Sequence, residues 1–433
     1  MHTRNDHPGG PHTWNRRKFL RRATGGVALA AGLSLPVPEI RGSTPREFKV
    51  GLVGCGSRGS GAAMNAVQAG AITGDTVRIH AVADVFADKV RRPQRLFKVP
   101  ASKVFVGFDA YRRLLETDCD YVILATPPHF RPEQFEAAIA AGKHVFTEKP
   151  VAVDAPGIRR FLAAGESAGR KRLSVTAGTQ RRHQKQYIEN QERIAAGAIG
   201  DIVAGRCYWN TGGLWTAERQ DGWGDMEWQL RDWLYFNWLS GDHIVEQHVH
   251  NLDVINWFIG AHPIAARGIG GREVRKGRPS YGNIFDHFAT ELIYANPNPA
   301  NGNPDVRVIS MARQIEGCWY EVSEFLVGTR GSCKCGHEIQ GASPWKWSGE
   351  QVPPYVKEHA DLIESIKESG PYYNEVENVA TSTMTAILAR TSCYTGAEVR
   401  WDEAMQSNER LGPEIRGFGP APGAIVPRPG KPM

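Results

Sequence analysis

The 433-residue sequence predicts an α/β fold: an N-terminal doubly wound parallel sheet followed by an α+β domain with a large, mostly antiparallel sheet. Three observations carry that expectation. An apolar run, Phe48 to Val53, enters a glycine-rich turn and then the small-residue stretch Ser60 to Ala69. Short apolar strands and helical segments alternate from there to Ala177. Beyond Gln180 the alternation stops, and strand-like runs separated by turns take over.

The glycine-rich turn reads Gly54-Cys55-Gly56-Ser57-Arg58-Gly59, so the order is strand, G-x-G-x-x-G, helix, the Rossmann dinucleotide fingerprint. Gly54 permits the tight turn, Gly56 lets the backbone approach a pyrophosphate, and Gly59 allows close helix–strand packing. The helix N-terminus beginning at Ser57 and Arg58 adds N–H donors and positive potential. A second strand, Val77 to Val82, leads to Asp84, where a carboxylate accepts from a ribose diol and repels a 2′-phosphate. NAD is therefore expected in preference to NADP.

Ala110 to Glu116 reads as a helix, Tyr121 to Ala125 as a buried strand ending at Thr126-Pro127-Pro128-His129, and Pro132 to Ala141 as the next helix. Gly142 to Phe146 is a strand ending at Glu148-Lys149-Pro150, Ala155 to Ala168 is helical, and Leu173 to Ala177 is the last strand. Ligands of a parallel sheet bind beyond the carboxyl ends of its strands, which is where both motifs fall.

In the second half, Gln184 to Ala196 reads as a helix closing at Gly197 to Gly200. Ile202 to Trp209, Phe288 to Tyr294, Val306 to Ala312 and Glu321 to Val327 read as strands. Trp209, Trp215, Trp223, Trp228, Trp233 and Trp238 crowd one connection, where aromatic faces suit sugar rings, core packing or a subunit contact. Asp242 to Gly260 reads as one helix, N-capped by Asp242, with an apolar stripe through Val245, Val249, Leu252 and Ile255. On it Glu246 and His250 are i,i+4 neighbours. Such a pair suits a general base oriented by a carboxylate; it also suits a buried structural pair, or, with His243 or His248, a metal site. No other ligand cluster supports the metal. Cys333-Lys334-Cys335-Gly336-His337 has no second pair at zinc spacing and sits among hairpin-turn residues, and the seven scattered cysteines make no disulfide framework. After Gly412 the Pro/Gly-rich tail reads as irregular.

The net charge of +6 invites a nucleic-acid reading that its distribution removes, because +5 of it lies before Leu35. Asn15-Arg16-Arg17-Lys18-Phe19-Leu20-Arg21 precedes a short apolar run, Ala23 to Leu35, too short to span a bilayer. That resembles a twin-arginine export signal, and implies export, to the periplasm or beyond, by the machinery that reads it. No integral membrane domain is expected. The organisation expected is residues 1–45 signal and linker, 46–177 NAD-binding domain, and 178–433 substrate and oligomerisation domain.

Four features in order resemble the Gfo/Idh/MocA oxidoreductases: Gly54-x-Gly56-x-x-Gly59, Thr126-Pro127-Pro128-His129, Glu148-Lys149-Pro150, and Glu246-Gln247-His248-Val249-His250-Asn251-Leu252-Asp253. The resemblance implies a cis bond into Pro150. It also implies Lys149 hydrogen-bonding the reacting hydroxyl, His250 as acid/base and Glu246 supporting it. Glu246 stands where the family pattern has Asp, and His248 where it has Gly. The implied cofactor-binding set is Gly54, Gly56, Ser57, Arg58, Gly59, Asp84, Thr126, Pro127, His129, Glu148 and Lys149. The implied substrate-binding set is Lys149, Arg182, His250 and Asp253. Oligomers, dimers or tetramers, are common in the family through the open sheet face. The activity implied is NAD-dependent oxidation at a CH–OH group of a sugar, sugar derivative or cyclitol. Two alternatives stand beside it: a redox-neutral enzyme with retained NAD (glycosidase, epimerase or sugar–sugar oxidoreductase), and a non-catalytic sugar-binding protein.

Overall fold

The computed structural model describes residues 45–296, 301–302 and 304–430; the stretch expected to be an export signal lies outside the described residues. Six strands, β1 (Glu47–Val53), β2 (Thr76–Asp84), β3 (Val104–Val106), β4 (Tyr121–Leu124), β5 (His144–Thr147) and β6 (Val175–Ala177), form a parallel sheet in the order β3-β2-β1-β4-β5-β6. Every residue of β4 is buried, as expected of a strand covered by helices on both faces. The order reverses between β1 and β4, the switch point above which such sheets bind ligands.

Helix Ser57–Thr73 follows β1 directly, and its small buried residues let it lie close against the sheet. Its other side packs on helix Pro354–Ile366, whose Val356, Ala360 and Ile363 share a core with Phe48, Val50, Leu52, Ala62 and Ala66. The chain thus returns from far downstream to cover the first sheet.

Nine strands form the second sheet: β7 (Ile202–Thr211), β8 (Ala265–Gly271), β9 (His287–Tyr294), β10 (Val306–Gln314), β11 (Glu321–Gly328), β12 (Gly331–Lys334), β13 (Glu338–Gly341), β14 (Trp345–Lys346) and β15 (Val399–Arg400). All neighbours are antiparallel except β7 and β10. Cys333 and Cys335 stand on and just after β12, in the β12–β13 hairpin. Among the described residues no helix is long and apolar enough to cross a membrane.

The helix expected from Asp242 to Gly260 is broken into two, His243–Glu246 and Val249–Ile259. Both ends are as expected: Asp242 accepts from the His243 N–H at 2.6 Å, and Gly260 closes the second helix at φ 77°. The break falls at Gln247–His248, where the buried His248 imidazole reaches the Ser310 hydroxyl on β10 at 2.8 Å. Asn251, one turn on, donates to the carbonyls of Tyr208 and Ser323, so the second helix is pinned to the sheet rather than continuing the first.

Candidate active site

A cavity of about 670 Å³ lies over the carboxyl ends of β1 to β5, walled on its far side by the segments around Trp209, Leu234, Glu246 and His250. At its centre the chain leaves β1 through Gly54, whose φ of 92° is closed to most side chains. A Cβ on Gly59 would run into the Gly54 carbonyl, so helix and turn are locked together. Gly56 differs: a Cβ there meets nothing within 4 Å, and the residue lines the cavity. The space that a side chain would fill, beside free N–H groups at a helix start, fits a pyrophosphate. At the end of β2, Asp84 also lines the cavity. It is fixed by the N–H groups of Cys55 at 2.7 Å and Phe86 at 2.9 Å, and burial pushes its carboxyl upward. Each oxygen keeps an acceptor site for a ribose hydroxyl. The residues present therefore fit a dinucleotide; Gly54–Gly59 would hold the pyrophosphate and Asp84 the ribose.

The opposite end is built from side chains. The Lys149–Pro150 bond is cis. The Lys149 ammonium donates to the Glu246 carbonyl at 2.5 Å and to its carboxylate at 3.0 Å. Glu246 also accepts from Gln247. The carboxylate expected to support His250 is thus turned to Lys149, because the helix break separates Glu246 from the turn that carries His250. The imidazole lies against the Trp209 ring instead, centroids 5.8 Å apart and planes at 25°. Burial, then the charges of Lys149, Arg181 and Arg58, push the His250 pKa well down, so the ring is neutral at pH 7 and able to take a proton.

Arg58 links the two ends. Its guanidinium bonds the buried Glu148 carboxylate, lies 3.7 Å from Glu358 and stacks over Tyr355 at 4.8 Å. Burial works against its charge, but Glu148 and Glu358 outweigh it and raise the pKa. Ser57, Thr126 and Pro127 line the cavity as well, Thr126 donating to Gln134 at 2.6 Å.

Three expected site residues lie outside the cavity lining. The His129 ring packs edge-on against Trp238, and its Nε2 meets the Pro413 carbonyl at 3.1 Å, so the C-terminal tail has captured it. Arg182 and Asp253 bond each other at 2.9 and 3.0 Å, and Ser382 donates to Asp253 at 2.7 Å, leaving that carboxylate engaged within the fold. His248 is likewise spent on Ser310; burial, then the Arg181 charge, lower its pKa to about 3. The tryptophans divide: Trp209, Trp215 and Trp233 line the cavity, while Trp228 and Trp238 are buried in an adjoining core. Sequence reasoning missed Arg131, a buried cavity residue whose guanidinium holds the Pro150 carbonyl, and Tyr355. Arg131 had one signal, its place two residues past Thr126–His129; Tyr355 had none.

The glycine turn, Asp84 and the parallel sheet beneath them make a Rossmann-type nucleotide-binding arrangement. Residues 48–177 match the Gfo/Idh/MocA family model, described as an oxidoreductase family with an NAD-binding Rossmann fold. The chain is 30% identical over 212 residues to an inositol 2-dehydrogenase of Klebsiella pneumoniae (strain 342), covering 49% of this chain and 54% of that protein. It is 26% identical over 219 residues to a 2,7-anhydro-N-acetylneuraminate hydratase of Escherichia coli (strain K12), covering 50% and 51%. The chain spans about half the length of these curated relatives. Its fold is that of scyllo-inositol dehydrogenase from Lactobacillus casei, solved with bound NAD(H) and scyllo-inositol, with TM-score 0.62 and 20% identity over 82% of this chain and 99% of that one. Over residues 48–177 the chain is thus similar to the NAD-binding Rossmann region of Gfo/Idh/MocA oxidoreductases, and its fold beyond them is like that of the solved inositol dehydrogenase.

Proposed function

We propose that the protein oxidises a CH–OH group of a sugar, sugar derivative or cyclitol, with Lys149 and His250 handling the proton. One observation carries the reading: Lys149 and His250 line the same cavity as the glycine turn, on the side away from Asp84. NAD, when bound, supplies the two-electron acceptor. The Lys149 ammonium, held by Glu246, is a donor for the reacting hydroxyl and stabilises it as it becomes an oxyanion. The neutral His250 ring accepts the hydroxyl proton, and the flat Trp209 beside it offers a face for a ring substrate. The names of the inositol dehydrogenase relatives favour a cyclitol among these substrates. Screening polyols and glycosides for substrate-dependent NADH formation tests this; no turnover on any of them, with NAD bound, would sink it.

A redox-neutral reaction with retained NAD is the second reading. It is favoured by the hydratase among the relatives and by the export expected from residues 1–35. It gives solvent deuterium entering the sugar with no net NADH. Fractionating cells for the protein tests the export on which this reading leans.

A further inference from the structure

The C-terminal tail supports the cofactor site: we propose that Phe418 braces Phe86 and Phe108 at the adenosine end of the cavity and so slows exchange of the dinucleotide. The inference rests on the cavity's being the NAD site and is independent of the substrate.

The sheet order fixes which end is which. β2 and β3 lie on one side of the glycine turn, β4 and β5 on the other. Lys149, after β5, marks the reacting end. The adenosine therefore belongs past Asp84, where Phe86, Lys89, Gly107 and Phe108 line the cavity. Two of those four residues are aromatic, and the tail covers both. The Phe418 ring stacks on Phe86 at 5.8 Å and 25°, and meets Phe108 edge-on at 5.0 Å and 74°. It is still 53% exposed and lies behind the lining, bracing the two aromatic rings rather than facing the cavity itself.

The tail has no regular secondary structure after Gln406, yet it is held on both sides of Phe418. Before it, the Leu411 N–H donates to Asp154 at 3.1 Å, Ile415 is buried, and Arg416 pairs with Glu133 at 3.0 Å. After it, Gln229 donates to the Pro422 carbonyl at 3.0 Å, Asn283 to the Ile425 carbonyl at 3.2 Å, and Gly430 to Thr395 at 2.9 Å. A segment with no helix or strand of its own is thus ordered by contacts to both halves of the chain. Arg231 fixes Phe86 independently, its guanidinium 3.9 Å from the ring centroid and 2.9 Å from Asp88.

Stopped-flow measurement of NADH release from the full-length protein, followed by cofactor fluorescence, tests the proposal. Phe418→Ala should speed release about five- to tenfold, the worth of two aromatic contacts, and Phe418→Trp should restore the slow rate. The melting temperature should hold, since the side chain is half exposed. Release unchanged in Phe418→Ala overturns the proposal. So does release speeded equally by His183→Gln, whose partners are Asp361 and Glu375 rather than the tail, because the effect would then be general loosening. A wild-type protein that binds no NADH would instead overturn the cofactor site itself.

Discussion

At the glycine-turn end of the cavity, main-chain groups and absent side chains make the site; at the Lys149 end, charged side chains from distant segments do. The first end needs Gly54, Gly56 and Gly59 within six residues, and its donors are main-chain N–H groups that survive any side-chain change short of proline. The second needs Lys149, Glu246, His250 and Trp209, none of which is placed by its neighbours in sequence alone. Each side chain there is oriented by another, so one change is felt by several. Arg58 is where the two meet, a glycine-turn residue whose guanidinium is spent on Glu148 at the other end.

The largest expected effect separates the ends outright. His250→Ala and Lys149→Met should each lower kcat by about 10² to 10⁴, the usual worth of a positioned acid/base group. NAD affinity should change little, as read by NADH fluorescence titration. Loss of cofactor binding in either variant would break the division. If His250 is the base, protonating it should inactivate the wild-type protein, so kcat/KM should fall on acidification. Because burial and nearby cations lower that pKa, the fall should come below the ordinary histidine value near 6.5.

Gly56→Val probes the other end. A Cβ at Gly56 meets no protein atom within 4 Å, so the fold should melt at nearly the same temperature. The new side chain would occupy the space assigned to the pyrophosphate. The dissociation constant for NAD should rise about tenfold or more, equivalent to roughly 1.4 kcal/mol. Calorimetric titration with NAD reads this directly, and an unchanged constant would remove the pyrophosphate from that place.

The same division explains what was legible. The glycine turn, the strand alternation and Asp84 are local signals, set by backbone sterics and by the period of apolar residues, and the first sheet formed where they pointed. The Asp242–Gly260 helix shows the opposite case. Gln247 and His248 are acceptable helix residues, and both caps are present, so nothing nearby announces a break; it is decided by Ser310, sixty-two residues on. His129 failed as a cavity residue for a similar reason, since Pro413 claims it from the far end of the chain. Arg182 and Asp253 entered the substrate-binding set through the family resemblance alone, and a sequence does not show that they satisfy each other. Helix Pro354–Ile366 was unread; its Val356, Ala360 and Ile363 carry helical spacing, but spacing does not say which sheet the helix covers.

The smallest expected effect sharpens the contrast through pH. Behind the Lys149 end, on the Arg58–Glu358 side, His183 is buried between Asp361 at 2.6 Å and Glu375 at 3.5 Å. Burial opposes its charge, but the two carboxylates outweigh it and raise the pKa from near 6.5 to about 10. A histidine whose pKa is higher folded than unfolded binds its proton more tightly in the native state. Its contribution is therefore complete below about pH 6.5 and is lost as the pH rises through about 10. His183→Gln should lower the melting temperature by a few degrees at pH 6, and the gap from wild type should close toward pH 10. Scanning calorimetry across that range reads it. Gly56→Val, whose Cβ meets no titrating group within 4 Å, should keep a constant gap over the same range. If both gaps moved together, the charged end would not be the pH-sensitive one.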